Sequence, residues 1–514
     1  MKKSDSLLGA TLSVSLLAIL VKSLGFFREA LIAAYYGATA ETDAFFFAEG
    51  MPTTFFPAVS SGLALAFASL YVQKAAEEGE EESDRYASRM LLASTLLGVF
   101  LGILGAALAP VLVPLFAPGF SGGQRALAVR LTRLIMGAFV LTMLQYMQSA
   151  ILNSKKRFLP PQAAALAHNA VIVGIVVLLG RGRGMTFLMM AVIAGMLAQV
   201  LVLLSCCRGQ IAYTRGLGPF HPDTWRLFRL ALPILLGNSI VQLNSIVDKA
   251  LGSTLPEGSL SALNYANDLT AFVISVFITS LATTIYPTLA AEAAEGSERF
   301  GETLLQGMGG LTLVLIPISC ITSLDAGDIV SVVYARGSFD QAAVSSTALA
   351  LAWYAPMFAF SGLRDILTRA FYAVQDTKTP MRNGAIGVGC NIISSLLFVR
   401  WLGLKGIALG TTVSAAVTAA LLLSAAHRRL PGLDLRPFFL EAGRGSLAGA
   451  ALSAVLRLFR RAVPVPWPMA RFAMDTILGL ACYSAILAAL GSTGIGTAAK
   501  RIGAKIRGSG HHGP

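Results

Sequence analysis

Apolar runs of about twenty residues recur roughly fourteen times along the chain, each closed by a polar, Gly- or Pro-bearing stretch. As a helix, such a run matches the hydrocarbon thickness of a bilayer, about 30 Å. Hydrocarbon offers no partner for backbone N–H and C=O groups, so only helices and closed barrels can span it. A barrel would show segments of about ten residues that alternate apolar and polar, whereas these runs are continuous. The expected fold class is therefore all-α: a polytopic membrane protein of about fourteen transmembrane helices. Composition points the same way. Charged residues make up 13% of the 514 positions, about half the share of a soluble domain and too few to cover a globular surface.

The charge that remains is unevenly placed. A net charge of +13 in a soluble chain would raise nucleic acid as a partner. Here more than half of the 40 Lys and Arg fall in alternate loops, the positive-inside pattern, so no nucleic acid is implied. The pattern puts both termini in the cytoplasm and requires an even number of spans. One segment runs against it: "RLFRRAVPVPWPMAR" (457–471) is basic yet falls on the outer side. The acidic run "EEGEEESDR" and the acids Asp325 and Asp328 at a span end read as solvated. The N-terminal run continues through Lys22 and Arg28 to Tyr36 without a cleavage signal, so it reads as a retained first helix.

Enzyme signatures are missing. The five cysteines show neither metal spacing nor a disulfide framework. There is no GxxxxGK[ST] stretch to cradle a nucleotide. His168, beside Asn169, is the one histidine inside a span, and it reads as a helix contact rather than a proton relay. No acid/His constellation sits at an interface loop, as a polyprenyl-phosphate glycosyltransferase would need. The chain reads as no enzyme.

The chain also repeats itself. "AILNSKKRFLPP" (150–161) resembles "AFYAVQDTKTPM" (370–381), with Pro160 over Pro380. "AFFFAEGM" (44–51) matches "ALNYANDL" (262–269), and "LYVQKAAEEG" (70–79) matches "IYPTLAAEAAEG" (285–296). Order and near-constant offset are shared, and the offset corresponds to six spans, so both copies keep one orientation. A parallel repeat about an axis along the membrane normal is a transporter architecture. It divides the chain into an N-lobe of helices 1–6 (1–206), a cytoplasmic linker (207–225), a C-lobe of helices 7–12 (226–430), two extra helices (431–495) and a basic cytoplasmic tail (496–514).

Ionisable residues inside spans carry the functional reading, since each costs on the order of 3 kcal/mol at a helix centre. The first span, "VKSLGFFREALIAAYYG" (21–37), holds Lys22, Arg28 and Glu29. Lys22 and Arg28 point about 120° apart on a straight helix, and Gly25 between them can loosen it. Two cations in a cavity suit a phosphate or diphosphate. The competing reading is internal pairing of Arg28 with Glu29 or with Asp43 on the next span. On the tenth span, Asp365 and Arg369 form an i,i+4 ion pair, which leaves Arg364 as the cavity candidate. On the seventh, Asp248 either balances Lys249, which snorkels outward, or ligates a small cation. Glu49 and Asp268 complete the buried acids.

"SLGFFREALIAAYYGATAETDAFFFA", "IVDKALGSTLPEGSLSALNYA" and "RAFYAVQDTKTPM" together resemble the MurJ/MviN family of lipid II flippases, within the multidrug/oligosaccharidyl-lipid/polysaccharide exporter superfamily. The resemblance runs from about residue 7 to 490. It implies two six-helix lobes around a central cavity, a groove near helices thirteen and fourteen for a polyprenyl tail, and transport of undecaprenyl-diphosphate-linked disaccharide-pentapeptide to the outer leaflet. Carried over by position, the family's paired first-helix cations fall on Lys22 (Arg in the usual pattern) and Arg28, and its second-helix acid on Asp43. Its second-helix Arg would fall at Phe56 or Pro57, and its eighth-helix Arg at Asp268, a reversed charge for which Arg364 can substitute. A sodium site would draw on Asp248, Asn391, the Ile407 backbone and Thr411, with Ser395 in place of a further acid.

The reading is thus a lipid II flippase of the bacterial inner membrane, working by alternating access as a monomer, with Na⁺ as the candidate coupling ion and no other cofactor. Membrane lipids and cell-wall synthesis proteins are its expected partners. The alternative is a flippase for another polyprenyl-linked glycan, or a cation-coupled drug exporter of the same superfamily.

Overall fold

The computed structural model describes residues 2–54, 57–208, 221–297, 299–430, 433–463 and 465–492. Phe56, most of the 207–225 linker and the basic tail lie outside them. The described residues form helices throughout. In chain order they are α1 (Lys2–Tyr36), α2 (Ala40–Glu49), α3 (Met51–Thr54), α4 (Pro57–Glu77), α5 (Glu80–Phe116), α6 (Gly122–Gly137), α7 (Phe139–Ser154), α8 (Leu159–Leu179), α9 (Met185–Cys207) and α10 (Pro222–Ser253). Then come α11 (Ser259–Val273), a π-helical stretch (Ile274–Thr279), α12 (Ser280–Ala294), α13 (Arg299–Leu324), α14 (Ala326–Tyr334), α15 (Gln341–Tyr354), α16 (Met357–Ala373), α17 (Lys378–Leu402), α18 (Leu404–Arg429), α19 (Arg436–Ala462) and α20 (Pro468–Ala489).

Among the described residues nine spans are long and apolar enough to cross a bilayer, and the α15–α16 pair, bent by 44°, makes a tenth. The remaining four of the fourteen expected spans are α1, the interrupted α2–α4, α10 and α19. These carry Lys22, Arg28, Glu29, Asp43, Glu49, Asp248, Lys249 and Arg460. The all-α polytopic class stands. Lipid-facing side chains support it: Phe100, Ile103, Leu178, Ile393 and Leu447 are large, apolar and exposed, and Trp225, Trp401 and Trp467 stand exposed near helix ends, as at a membrane interface.

The chain forms two compact units, Met1–Ser261 with Arg336–Asp340, and Ala262–Ala335 with Gln341–Pro514. Contacts thus group α10, the first helix of the second repeat in sequence, with the first unit. Between lipid-facing helices there is no hydrophobic drive to associate, so close packing of small residues takes over. Three helices show it at GxxxG spacing. In the first unit, a Cβ on Gly102 of "GVFLG" (98–102) would meet the Met136 carbonyl of α6 at 2.7 Å. In the second unit, Gly410 of "GIALG" (406–410) presses on Ser395 of α17, and Gly449 of "GSLAG" (445–449) on Ile316 and Cys320 of α13. The first unit's core is aromatic, with Phe67 stacked on Tyr86 at 5.3 Å and Phe45, Phe47 and Phe139 fully buried. In the second, Leu313 and Ile321 of α13 meet Leu452, Leu456, Tyr483 and Leu487, which docks the two extra helices.

The repeat is written in the backbone. Ten of the eleven described residues with positive φ fall into five pairs: Gly37 with Gly258, Gly79 with Gly296, Gly122 with Gly337, Lys156 with Gln375, and Gly182 with Gly403. Each pair marks the same connection in the two copies. The eleventh, Gly491, follows the added helices.

Candidate functional site

In the first unit, α1 runs unbroken through Gly25, so Lys22 and Arg28 keep their helical separation. Gly25 does not loosen the helix. It allows close approach, since a Cβ there would meet the Asn169 amide of α8 at 3.8 Å. Lys22 is exposed. Arg28 is half-buried and bonds Glu29, with Nε donating to Oε1 at 3.1 Å. A second guanidinium nitrogen pairs with the same oxygen. Its Nη1 donates to Asn169 Oδ1 at 3.2 Å and lies 3.5 Å from His168 Nε2. The internal pairing weighed from the sequence, Arg28 with Glu29, is thus present, and His168 is a helix contact for α1. Glu29 itself is buried, and its Oε2 has no hydrogen-bond partner among the described residues.

Asp43 is not the acid that meets Arg28. It is 3% exposed and its carboxylate is filled by donors: Gly258 N–H to Oδ2 at 2.7 Å, and Ser261 N–H and O–H to Oδ1 at 2.7 and 2.6 Å. It works as a cap for the first N–H groups of α11, where helix ends leave donors unmatched.

Lys249 does not snorkel. Its ammonium lies 3.5 Å from the Phe46 carbonyl, at the carbonyl end of α2 where a cation is favoured, and over Gly50, whose missing side chain makes the space. Arg28, Glu29 and Lys249 are the charges acting on Glu49, so two cations meet two acids. Beside them lies a cavity of about 180 Å³, lined by Glu49, Thr142, Gln145, Tyr146, His168 and Gln199 together with apolar side chains. Asp248, next to Lys249, is half-buried.

In the second unit, Arg369 Nε and Asp365 Oδ2 pair at 3.1 Å, as the i,i+4 spacing implied. Arg364 is exposed, and its guanidinium forms no ion pair or hydrogen bond among the described residues. Asp268 is half-buried. Three of the four expected cation ligands come together: Asn391 donates to the Thr411 hydroxyl at 3.2 Å, and that hydroxyl donates to the Ile407 carbonyl at 3.3 Å. Asn391 is 1% exposed, and its amide oxygen lacks a partner among the described residues. Ser395 is fully buried. Asp248 belongs to the other unit. Among the described residues no group of three or more His, Cys, Asp or Glu could hold a metal ion.

Other charges were misjudged from sequence. Asp325 is fully buried, not solvated, and pairs with Arg460 of α19. In the acidic run, Glu82 meets Arg89 at 3.0 Å and Asp84 meets Lys155 at 2.7 Å, so only part of it faces solvent. Asp223 at the start of α10 joins this network, 3.2 Å from Arg89 and 3.4 Å from Lys74. The available signal for Asp325 was the misplaced basic segment 457–471: Arg460 and Arg471 in it are matched by acids and so stop counting as free topological charge.

A family model described as "Lipid II flippase MurJ" matches residues 32–476. A "Lipid II flippase MurJ" from Burkholderia cenocepacia is 28% identical over 94% of this chain and 96% of its own length. A "Probable lipid II flippase MurJ" from Vibrio cholerae is 30% identical over 52% of this chain and 53% of its own. Among solved structures, a lipid II flippase MurJ in an inward closed conformation covers 92% of this chain and 97% of that one, at TM-score 0.77 and 22% identity. An inward-facing MATE transporter of the MOP superfamily covers 81% and 98%, at TM-score 0.69 and 16% identity. Both share the fold.

Proposed function

Since the chain belongs to the lipid II flippase MurJ family, we propose that it carries the undecaprenyl-diphosphate-linked peptidoglycan precursor across the bacterial cytoplasmic membrane by alternating access. It is a multi-pass transporter, not an enzyme. The observation that supports the reading best is the bonding of Arg28. A half-buried guanidinium in hydrocarbon is held by a neighbouring carboxylate on its own helix and by two neutral groups, Asn169 and His168. A diphosphate offers oxygen acceptors of higher charge in bidentate geometry, so it can displace these partners. Exposed Lys22, on the same helix, supplies a further cation for the headgroup. Asp43, whose carboxylate accepts from Gly258 and Ser261, holds the frame in which they act.

We further propose sodium as the coupling ion. The buried Asn391 amide oxygen, the Thr411 hydroxyl and the Ile407 carbonyl are oxygen ligands of the kind a hard cation takes. The loop charges support a reading with both termini in the cytoplasm, and we propose that the chain acts as a monomer and delivers its lipid to cell-wall synthesis proteins. The test is replacement: this chain is expressed in a bacterium depleted of its own lipid II flippase. Growth, and appearance of lipid II in the outer leaflet by attack from an externally added lipid II-degrading enzyme, are expected. Failure of both at normal membrane abundance overturns the substrate assignment. The second reading, a drug exporter, is favoured by the fold shared with a MATE transporter, and predicts sodium-dependent drug efflux without rescue.

A further inference from the structure

Where α13 gives way to α14, five charged side chains converge, from α14, α19, α20 and the junction residue Asp325. Arg460 of α19 donates through Nε to Asp475 Oδ2 of α20 at 2.8 Å and through Nη1 to the Leu324 carbonyl at 2.8 Å. Its Nη2 bonds Asp325 and lies 3.3 Å from Asp328 Oδ2. Arg471 of α20 sits 3.5 Å from Asp328 Oδ1. Three carboxylates therefore face two guanidiniums. Among the described residues no other charge faces them: Arg457 and Arg461 are exposed on α19, the remaining charged residues of α13, Arg299 and Glu302, lie at its far end, and α15, which packs on α14, has none.

The excess negative charge is buried. Asp325 and Asp475 are both 0% exposed. Each uses one oxygen on Arg460, and the other oxygens, Asp325 Oδ2 and Asp475 Oδ1, have no hydrogen-bond partner among the described residues. Both carboxyl groups bond the same Arg460 guanidinium, and the charge of Asp475 acts on Asp325. Two like charges this close and this dry cannot both ionise without a third cation. A proton satisfies the geometry: bound to one carboxyl, it gives that group an O–H to donate to the other. Asp328 is the route for exchange, since it also lines a hollow of about 540 Å³ with Ser323, Gly327, Ser331 and Gln341.

We propose that Asp325 and Asp475 form a proton-binding site, sharing one proton across the junction of α13–α14 with α19–α20. The site clamps the two added helices while protonated and loosens them when the proton leaves. On the orientation favoured by the loop charges, it faces the outside. Burial raises Asp325 to about 7, against the pull of Arg460 and with the help of Asp475 and Asp328. An acid whose folded value is raised binds its proton better folded than unfolded. Its contribution is therefore complete below the unfolded value, near 4, and is lost as pH rises to about 7.

The test is infrared titration of the purified full chain from about pH 5 to about 8, with thermal unfolding alongside. The wild type is expected to show a protonated-carboxyl band that fades through this range, and a melting temperature that falls with it. Asp475→Asn mimics the protonated acid and should lose the band and flatten the melting curve, whereas Asp328→Asn should keep the band. Absence of the band in the wild type at the acid end overturns the proposal, whether or not the variants fold. So does a transition that follows sodium at fixed pH, which would make the third cation a metal ion.

Discussion

Lys156 and Gln375 adopt the same left-handed backbone conformation, at φ 59° and 60°, and are the two described non-glycine residues with positive φ. Each closes a helix by the same pair of bonds: Lys156 N–H to Asn153 and Arg157 N–H to Leu152 after α7, Gln375 N–H to Tyr372 and Asp376 N–H to Phe371 after α16. This is the Schellman ending, in which the left-handed residue is normally glycine.

A side chain in that conformation costs about 1–2 kcal/mol, part of which glycine returns through its looser unfolded state. Lys156→Gly and Gln375→Gly should each stabilise the protein by roughly 0.5–1 kcal/mol. The two effects should add, because the turns share no partner. Thermal unfolding of the single and double variants in detergent checks this, and destabilisation by either would mean that its side chain holds a contact stronger than the strain.

The same turns show what the sequence could and could not disclose. The long apolar runs, the parallel repeat and the Asp365–Arg369 pair were legible because each is local or periodic. Register was less so. "KKRFLPP" holds two prolines, and either can stand against the one in "TKTPM". The sequence reading set Pro160 over Pro380, whereas the turns, and the starts of α8 at Leu159 and α17 at Lys378, set Pro161 there. Long-range pairing was not legible at all. Arg460 finds Asp325 across 135 positions and Arg28 finds Asn169 across 141. Nothing in local spacing says which of several buried acids a buried cation will meet. For the same reason Asp43 read as a partner for a cation when its donors are the N–H groups at the start of another helix.

That reassignment makes Asp43 a stability residue. Asp43→Ala leaves the Gly258 and Ser261 N–H groups without their acceptor, while the Ser261 hydroxyl keeps Thr42, at a cost of about 2–5 kcal/mol. Asp43→Asn keeps one acceptor oxygen and should cost less. Melting temperature should fall in that order, while lipid bound per folded molecule stays near the wild-type value. Normal stability with lost binding would return Asp43 to the substrate.

At the connection between α16 and α17, Asp376 accepts the Thr379 hydroxyl at 2.6 Å and the Thr379 N–H at 3.0 Å, with Arg429 Nη1 also 3.0 Å away. These bonds, the Thr379 hydroxyl first, hold its carboxyl below the ordinary value of 3.8. A depressed folded value means that the stability is present above the unfolded value and lost as pH falls through the folded one. Asp376→Ala should therefore cost about 1 kcal/mol at pH 7, as a lost cap does. The difference from wild type should shrink steadily below about pH 4. A gap that stays constant down to acid pH would assign the effect to packing instead of charge.

In the proposed site, Glu29 competes with the substrate for Arg28. Its carboxylate bonds the Arg28 guanidinium, and its other oxygen is buried without a partner among the described residues. Glu29→Gln keeps the shape and removes the charge, which leaves Arg28 with bonds roughly half as strong. A diphosphate headgroup then displaces less. Binding of a soluble undecaprenyl-diphosphate analogue should tighten about tenfold, which is about 1.4 kcal/mol. Transport need not improve, because a ligand drives a conformational cycle only by binding its two states unequally. If Glu29 takes Arg28 back when the lipid leaves, the variant binds well and releases slowly. The expected pattern is tighter binding with slower flipping and poorer rescue of a depleted strain. Arg28→Ala should instead lose binding and flipping together, at near-normal abundance. Weaker or unchanged binding in Glu29→Gln would show that the Arg28–Glu29 pair is structural, and that the diphosphate is held by other cations.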